Sequence, residues 1–487
     1  MKKLLSKFKV LVPVLVCLFT LTLVLFTGCK GDDPVHTHTM THQAEVPATC
    51  TETGKKEHYH CSKCGKYFLT EEGTEEVSAE SLVLAINPEN HNYTKDGQTN
   101  YVYDYENDRY VAACTRCDHQ DATQTQSAGT VQYPYLANDE TTFAKVITKG
   151  GYVKLQNDIT VTSKYTIKEE THLDLNGKTL KSTTADLFNY TNGSNNSTIV
   201  GNRADGSQKG YLKLECDKND PSNKDRRILA MVDNFDPTKL TVTNVDMTSS
   251  VWGIILFENS SITLNKCTLI AEKTNAISTN NQWSASTEYG MNVIIKDSTI
   301  ISREDSAIFI PGYMNLTVEN SSITGCTSAI HALMGNINVD ATSTLHATKE
   351  NFSLRDDSTK VEKSGASEAG LDGAALIIRT NYYYNQTDVK ADGTGIGSSR
   401  YAVGNKLTLN IADWSKVTSA SGVKAVVYNW TVESSYIAGA KKVEGLTITN
   451  QFDEALAKLE NKDGVKFYEY NGTEVKEYTK QESAENK

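Results

Sequence analysis

The sequence has little proline and methionine, and beyond its first residues it has no sustained run of basic residues. Only 8 of the 487 residues are Pro and 7 are Met, whereas 24 are Tyr. This composition favours β-structure with many short turns. The net charge of −11 is spread along the chain, which argues against nucleic acid as a partner. The length suits either several domains or one elongated solenoid.

The amino terminus has the pattern of a targeting signal, in which four lysines among the first nine residues precede the apolar stretch VLVPVLVCLFTLTLVLF. The stretch ends in Phe26-Thr27-Gly28-Cys29, which resembles a bacterial lipobox. The resemblance implies that residues 1–28 are a lipoprotein signal peptide, that Cys29 is lipidated, and that the protein is extracytoplasmic and anchored to the cell membrane. Phe26 stands where Leu is usual, and the apolar run is long enough to span a bilayer, so an uncleaved anchor is the alternative.

Histidine and cysteine are concentrated in residues 29–120, which we interpret as a stalk of two units, about 36–70 and 91–119. Each unit contains a C-x-x-C pair of the kind that binds metal, Cys61 with Cys64 and Cys114 with Cys117. Gly65 follows the first pair and supplies the turn that a metal knuckle needs. The predicted ligands are His42, Cys50, Cys61 and Cys64 in the first unit and His91, Cys114, Cys117 and His119 in the second.

These units resemble the short zinc-ribbon-like repeats at the start of many surface proteins of gut-dwelling Gram-positive bacteria. The resemblance is carried by PATC at residues 47–50 and CGKYF at residues 64–68, and it is weaker in the second unit. Disulfides are the alternative, because the compartment can be oxidising. Five cysteines cannot all pair, and the interleaved histidines have no role in a disulfide framework, so Zn²⁺ is favoured. Closed sites of four protein ligands would be structural.

A polar linker is predicted over residues 121–137, followed by a short helix with Asn138 as its N-cap. The run HLDLNGKTL at residues 172–180 resembles the opening coil of pectate-lyase-like β-helices. Similar segments then recur, LTVTNVDMTS, ITLNKCTLIA, VIIKDSTIIS, LTVENSSITG and INVDATSTL, which begin at Leu240, Ile262, Val293, Leu316 and Ile337. The recurrence predicts an all-β right-handed parallel β-helix over residues 138–435.

Each of the first four segments holds two short strands that point apolar residues inward around a bend. The predicted bend residues are Asn244, Lys266, Asp297 and Asn320. A third strand is expected just ahead of each segment, at Gly253-Ile254, Ala276-Ile277, Ala307-Ile308 and Ala329-Ile330. Residues 436–479 are predicted to form a small α+β cap of a helix and a hairpin turning at Asn471-Gly472, and residues 480–487 a disordered tail.

Pectate-lyase-like β-helices include enzymes, so cleavage of extracellular polysaccharide is one hypothesis, although fold alone does not establish it. A polygalacturonase needs two carboxylates that flank the glycosidic bond and a Gly-His-Gly motif that this sequence lacks. A calcium-dependent lyase needs clustered acids and a base. The residues Asp297, Arg303, Glu304 and Asp305 offer these groups but are equally typical of solvated turns.

A binding function leaves a clearer trace, because residues 280–289 are an insertion that leaves the solenoid as a side loop. Trp283 and Tyr289 in this loop, and Tyr382, Tyr383 and Tyr384, are the candidate ligand-binding residues, since an aromatic face can stack on a sugar ring. The leading hypothesis is therefore a non-enzymatic adhesin or glycan-binding rod whose partner is a host or dietary glycan or a surface protein. A polysaccharide lyase or glycoside hydrolase is the second hypothesis, and a structural or protein-interaction role is the third.

Overall fold

The computed structural model describes residues 37–232, 238–257, 259–279, 291–311, 314–332, 335–354, 371–380, 382–384, 407–430, 448–450, 452–470 and 475–478. The chain divides into two compact units, Met1–Asn92 with Cys114–His119, and Tyr93–Ala113 with Gln120–Lys487. Within these described residues no helix combines the length and the apolar character needed to cross a bilayer.

The first unit is built from short antiparallel strands around a few buried side chains. Its main sheet consists of Met40–Gln43, His58–Cys61, Tyr67–Phe68 and Glu76–Val77, and a second pair joins Gly54–Lys55 to Val83–Leu84 after the 3₁₀ helix Glu80–Leu82. Cys61, Phe68 and Leu82 are buried. So small a core supplies little stability by itself, which gives the cysteines and histidines of this unit a structural importance.

The second unit opens with a two-stranded hairpin, Thr94–Lys95 and Gln98–Thr99, and a three-stranded antiparallel sheet, Tyr101–Asp104, Arg109–Ala113 and Gln120–Ser127. Part of the predicted linker over residues 121–137 is therefore a strand. Its polar Thr and Gln side chains are mostly exposed to solvent, while its backbone pairs with the strand Arg109–Ala113. The strand Tyr135–Ala137 already belongs to the solenoid.

The rest of the unit confirms the predicted parallel β-helix, with three long sheets whose neighbouring strands come from successive coils. Sheet 1 contains Tyr135–Ala137, Gly151–Leu155, Thr171–Asp174, Ser197–Val200, Thr238–Thr243, Ser260–Asn265, Met291–Lys296, Met314–Glu319, Gly335–Val339 and Leu407–Ile411. Sheet 2 contains Ile159–Val161, Thr179–Ser182, Gly210–Leu214, Val245–Ser249, Thr268–Ala271, Thr299–Ser302, Ser322–Gly325, Thr344–Ala347 and Val417–Ser419.

Sheet 3 is the predicted third strand of each coil. It contains Tyr165–Ile167, Phe188–Tyr190, Arg227–Met231, Trp252–Leu256, Ile277–Thr279, Ile308–Ile310, Ile330–Ala332, Leu376–Thr380, Ala425–Trp430 and Val465–Tyr470, with Val475–Glu477 added antiparallel. Two small pairs, Ser353–Leu354 with Leu371–Asp372 and Tyr382–Tyr384 with Ile448–Asn450, and the 3₁₀ helices Pro221–Asn223 and Trp414–Lys416, complete the described elements.

Inward-facing side chains of successive coils stack in register and form one continuous core. In sheet 1, Leu264, Ile295 and Val318 are consecutive partners, and all three are fully buried. Outward neighbours such as Ile294, which is 40% exposed, alternate with them. A single coil has no partner for its apolar face, so stacking is what stabilises the solenoid.

The bends between sheets 1 and 2 use the left-handed backbone conformation. Asn244, Lys266, Asp297 and Asn320 have φ between 44° and 55°, which confirms that the predicted bend residues mark the turn of each coil. Asn and Asp tolerate this conformation better than most residues because their short polar side chains bond locally.

A ladder of hydroxyl groups satisfies buried amides directly after these bends. The backbone N–H groups of Cys267, Ser298 and Ser321 donate to the Oγ atoms of Ser298, Ser321 and Ser343, each at 3.0 Å. Buried amides without a partner would be costly. The ladder therefore allows this corner of the solenoid to be closed to water.

The helix Glu140–Val146 closes the amino-terminal end of the solenoid, and buried Phe143 packs on Tyr165 with ring centroids 5.1 Å apart. Its N-cap is Asp139, not the predicted Asn138. The Asp139 carboxylate accepts from the Thr142 N–H at 2.8 Å, and the Thr142 hydroxyl oxygen accepts from the Asp139 N–H at 3.1 Å, which completes a capping box. Asn138 accepts from the Thr142 hydroxyl at 2.9 Å instead.

Replacement of Asp139 by Ala is expected to lower the melting temperature of the second unit by roughly 2 °C. The hydrogen bond from the Thr142 backbone lowers the pKa of Asp139. The stabilisation is therefore fully present above the carboxyl pKa of the unfolded chain and is lost as the pH falls through the lower pKa of the folded state. Melting curves at pH 7 and pH 2.5 check this, since the difference between the two proteins should be smaller at the lower pH; an equal difference at both would contradict the capping role.

The carboxy-terminal end extends beyond the predicted boundary at residue 435. The strand Val465–Tyr470, predicted to be half of a hairpin in a separate cap, pairs in parallel with Ala425–Trp430 and so continues sheet 3. The hairpin exists through Val475–Glu477, while its predicted turn residues and the tail lie outside the described residues. The predicted helix is present as Phe452–Leu459 and packs on the last coils through Phe452 and Leu459.

Candidate metal centres

The first unit contains a compact group of one histidine and two cysteines. His38 Nδ1 lies 3.4 Å from Cys61 Sγ and 3.6 Å from Cys64 Sγ. Cys61 ends the strand His58–Cys61, which pairs with Met40–Gln43 just after His38. The sheet therefore brings residues from distant parts of the sequence to one point, and the group can hold a metal ion.

A second group joins Cys50, His91, Cys114 and Cys117, whose ligand atoms all lie within 4.8 Å of one another. Cys50 Sγ lies 3.7 Å from Cys114 Sγ, and His91 Nδ1 lies 3.4 Å from Cys117 Sγ. The loop positions are fixed by backbone bonds, including Cys114 N–H to His119 O at 2.8 Å. This group also can hold a metal ion.

The thiols of the two groups are tuned by their surroundings. At Cys61, burial opposes ionisation, but the backbone N–H of Cys64 and the His38 ring outweigh it and lower the pKa to about 5. The pKa of Cys114 is likewise lowered to about 5, against burial, by backbone donors and by His91. These thiolates are ready to bind a cation, because the deprotonated form is the ligand.

Cys50 behaves in the opposite way. Burial and the neighbouring Cys117 and Cys114 sulfurs raise its pKa to about 11. Several thiolates in one small site repel one another, and a divalent cation between them would reverse this effect. The group can therefore hold a cation among its sulfurs.

The structure distributes the predicted ligands differently from the sequence-based assignment. Cys50 lies with the second pair of cysteines rather than with the first. His42 is exposed and pairs with Glu57 at 2.6 Å, while His38 occupies the ligand position. The His119 ring stacks on His91 with centroids 3.8 Å apart, so it supports a ligand instead of joining the group.

A repeat in the sequence would have identified His38. The offset from His38 to His91, from Cys61 to Cys114 and from Cys64 to Cys117 is the same, 53 positions. His38 precedes the first C-x-x-C pair and His91 precedes the second, so the two histidines occupy equivalent positions in the two units. No such signal exists for Cys50, because the residue 53 positions later is Tyr103.

Replacement of His38 by Ala is expected to release one of two bound metal ions, whereas His42→Ala is expected to retain both. The reason is that His38 Nδ1 faces two sulfurs, whereas His42 contacts the exposed carboxylate of Glu57 and the ring of Tyr59. Metal content of the purified variants by mass spectrometry measures this. Loss of metal on His42→Ala with retention on His38→Ala would favour the sequence-based assignment.

Disulfides, the alternative for these cysteines, are not formed among the described residues, where eight cysteines are free. Cys50 Sγ and Cys114 Sγ, at 3.7 Å, are separated by much more than a disulfide bond of about 2.05 Å. Cys29 lies outside the described residues.

Of the predicted ligand-binding aromatics, Tyr382, Tyr383 and Tyr384 lie within the described residues. Trp283 and Tyr289 lie outside the described residues. Tyr382–Tyr384 is a strand that pairs antiparallel with Ile448–Asn450.

The acids considered for a lyase are engaged in contacts typical of turns and surfaces. Glu304 pairs with Lys218 at 2.5 Å and Arg303 with Glu272 at 3.9 Å. Asp297 accepts from the side-chain amide of Asn320 at 2.7 Å. Asp305 accepts from the Ser306 N–H at 2.7 Å.

Comparisons of the chain with protein-family models, with curated proteins and with solved structures found no match. The fold and the two Cys/His groups therefore carry the functional argument.

Proposed function

We propose that the amino-terminal segment is a structural zinc module, held at the cell membrane through lipidated Cys29, that displays a non-enzymatic β-helix rod for binding a glycan or a surface protein. The observation that carries the zinc assignment is the spacing of ligand atoms. Zinc at about 2.3 Å from sulfur and about 2.0 Å from nitrogen, with tetrahedral angles, separates sulfur from nitrogen by about 3.5 Å and sulfur from sulfur by about 3.8 Å. The observed separations of 3.4, 3.6 and 3.7 Å match these edges.

The donor set supports zinc over harder cations. Calcium and magnesium prefer oxygen ligands, whereas thiolate and imidazole suit zinc. The second group has four protein ligands, Cys50, His91, Cys114 and Cys117, which is the closed set of a structural site. Its ligands come from both sequence units, so one ion would tie the segment around Cys50 to the segment around Cys114.

The solenoid supports a binding role through its form. Stacked coils give a rigid scaffold with broad, mostly polar outer faces, and loops on such scaffolds tend to carry function. The acids considered for a lyase, Asp297, Glu304 and Asp305, form the ion pair and turn hydrogen bonds described above. The binding proposal is favoured for this reason over cleavage.

A glycan array probed with the chain from Lys30 onward tests the binding proposal. Each glycan that binds is then incubated with the protein, and the release of shorter products is measured. Binding without cleavage supports a glycan-binding rod, and weakened binding by Trp283→Ala would assign the insertion loop. Cleavage of a bound polysaccharide would overturn the non-enzymatic reading. Absence of any glycan binding, with capture of a defined surface protein, would leave the protein-interaction role instead.

A further inference from the structure

A cleft of about 540 Å³ lies at the carboxy-terminal end of the solenoid. One wall is the end of sheet 1, including the terminal strand Leu407–Ile411, and the other is the end of the helix Phe452–Leu459. This volume falls in the range of small-molecule sites, which is about 300–1,000 Å³.

Trp414 supplies an apolar surface in the cleft. It is partly buried against the hydrophobic core, together with Leu409, and it also lines the cleft. A large ring anchored by packing on one side offers a rigid platform at low entropic cost. A sugar ring has apolar C–H faces that suit such a platform.

Two amide side chains stand on the strand wall. Asn410 Nδ2 donates to Asn338 Oδ1 at 2.8 Å, and both residues are exposed and line the cleft. This single bond leaves an acceptor on Asn410 and a donor on Asn338 for other partners. A hydroxyl group both donates and accepts, so a polyhydroxylated ligand matches this pair.

Two lysines stand on the opposite wall. Lys458 and Lys462 are exposed, line the cleft, and have no ion pair within the described part of the chain. They lie four positions apart in a helical turn that continues past Leu459, since Glu460 N–H donates to Leu456 O and Lys462 N–H to Leu459 O, both at 2.9 Å. Residues spaced in this way share one side of a helix.

The acids of the cleft are already engaged. Glu319 pairs with Lys296 at 3.7 Å. Asp340 is bonded by the Ser343 hydroxyl at 2.6 Å and by the Asn320 N–H at 3.1 Å. Although partial burial opposes it, these bonds lower the pKa of Asp340 to about 2. Asp340 therefore stays ionised at neutral pH with its oxygens already bonded within the solenoid, whereas Lys458 and Lys462 have no such partner among the described residues.

We propose that this cleft binds an anionic saccharide, with Trp414 under a sugar ring, Asn338 and Asn410 on its hydroxyls, and Lys458 and Lys462 on its carboxylate or sulfate. The proposal rests on the glycan-binding function proposed above and gives it a site and a ligand class. It places the site at the cap of the solenoid instead of on the insertion loop.

The test is titration calorimetry of the chain from Lys30 onward with three sets of oligosaccharides, which are carboxylated, sulfated and neutral. The variant Lys458→Ala/Lys462→Ala is compared with Lys164→Ala/Lys168→Ala, which removes the same charge from two exposed lysines outside the cleft. We expect a carboxylated or sulfated oligosaccharide to bind, at least tenfold weaker binding by the cleft variant, and no change by the control. Binding should also weaken as salt is raised.

The outcomes separate the cleft from the broader function. Anionic glycan binding that survives the cleft variant, or that falls equally in the control, overturns the cleft and leaves the glycan function standing. Binding of neutral oligosaccharides alone, abolished by Asn410→Ala, overturns the anionic class. Absence of binding to all three sets overturns the cleft proposal and the glycan-binding part of the proposed function. Melting curves of each variant exclude loss of fold, and the lysines are exposed, so their removal leaves the core intact.

Discussion

Replacement of Cys114 by Ser is expected to remove one bound metal ion and to unfold much of the first unit while the β-helix remains folded. Cys114 contacts Cys50 and belongs to the four-ligand group that joins both sequence units. Structural zinc contributes an apparent free energy of about 10–16 kcal/mol in zinc-finger peptides at neutral pH. Small segments with little core depend on such binding, and the few buried side chains of the first unit place it in this class.

Metal content and hydrogen exchange, measured under reducing conditions, check this expectation. Peptides from residues 37–92 should lose protection, whereas peptides from residues 238–346 should keep it. Cys216→Ser is the matched control, because Cys216 lies outside both groups and packs at the edge of the solenoid core. A chelator added to the unaltered chain should reproduce the pattern of Cys114→Ser. Retention of two metal ions by Cys114→Ser, or equal loss of protection in the control, would refute the structural metal site.

The fold was predictable from the sequence because successive coils of the solenoid repeat one pattern. The bend residues recur once in each coil. The inward positions around them are apolar in consecutive coils, as at Leu264, Ile295 and Val318. Each coil repeats the same local solution, so one recognised segment predicts its neighbours. The strand boundaries were less predictable, since the observed strands begin two residues before each predicted segment, at Thr238, Ser260, Met291, Met314 and Gly335.

The metal groups were harder to assign because their geometry depends on tertiary contacts. Cys50 and Cys114 are separated by 64 positions, and nothing local indicates that their sulfurs approach to 3.7 Å. His38 lies just before the strand Met40–Gln43 and His42 lies within it, and only the pairing of that strand with His58–Cys61 decides which histidine faces the cysteines. The residue types were therefore predictable, whereas the partition into two sites required the fold.

The ends of the solenoid were also beyond local reasoning. The stretch Gln120–Ser127 has the composition of a linker, yet it pairs as a strand because a neighbouring edge is available. In the same way, the sequence of Val465–Tyr470 predicts one strand of a hairpin, and in the structure this strand also extends sheet 3. Edge strands are decided by which edges remain open, and that information is not in the segment itself.

Replacement of Ile295 by Ala is expected to reduce the free energy of unfolding by about 2–5 kcal/mol, whereas Ile294→Ala should reduce it by less than about 1 kcal/mol. The two residues are adjacent in one strand and chemically identical, but Ile295 is fully buried between Leu264 and Val318 while Ile294 is 40% exposed. Only the first substitution leaves a cavity in the stacked core. Because each coil is stabilised by its neighbours, the cavity weakens both adjacent interfaces.

Urea unfolding followed by circular dichroism measures both variants against the unaltered chain, with metal present so that the first unit contributes equally. The comparison isolates facing direction, since composition, strand propensity and distance from the ends of the solenoid are the same for both positions. Similar losses for Ile294→Ala and Ile295→Ala would mean that the alternation of side chains does not define the core in this coil. A large loss confined to Ile295→Ala would mean that the inward row, and not the strand pairing alone, holds successive coils together.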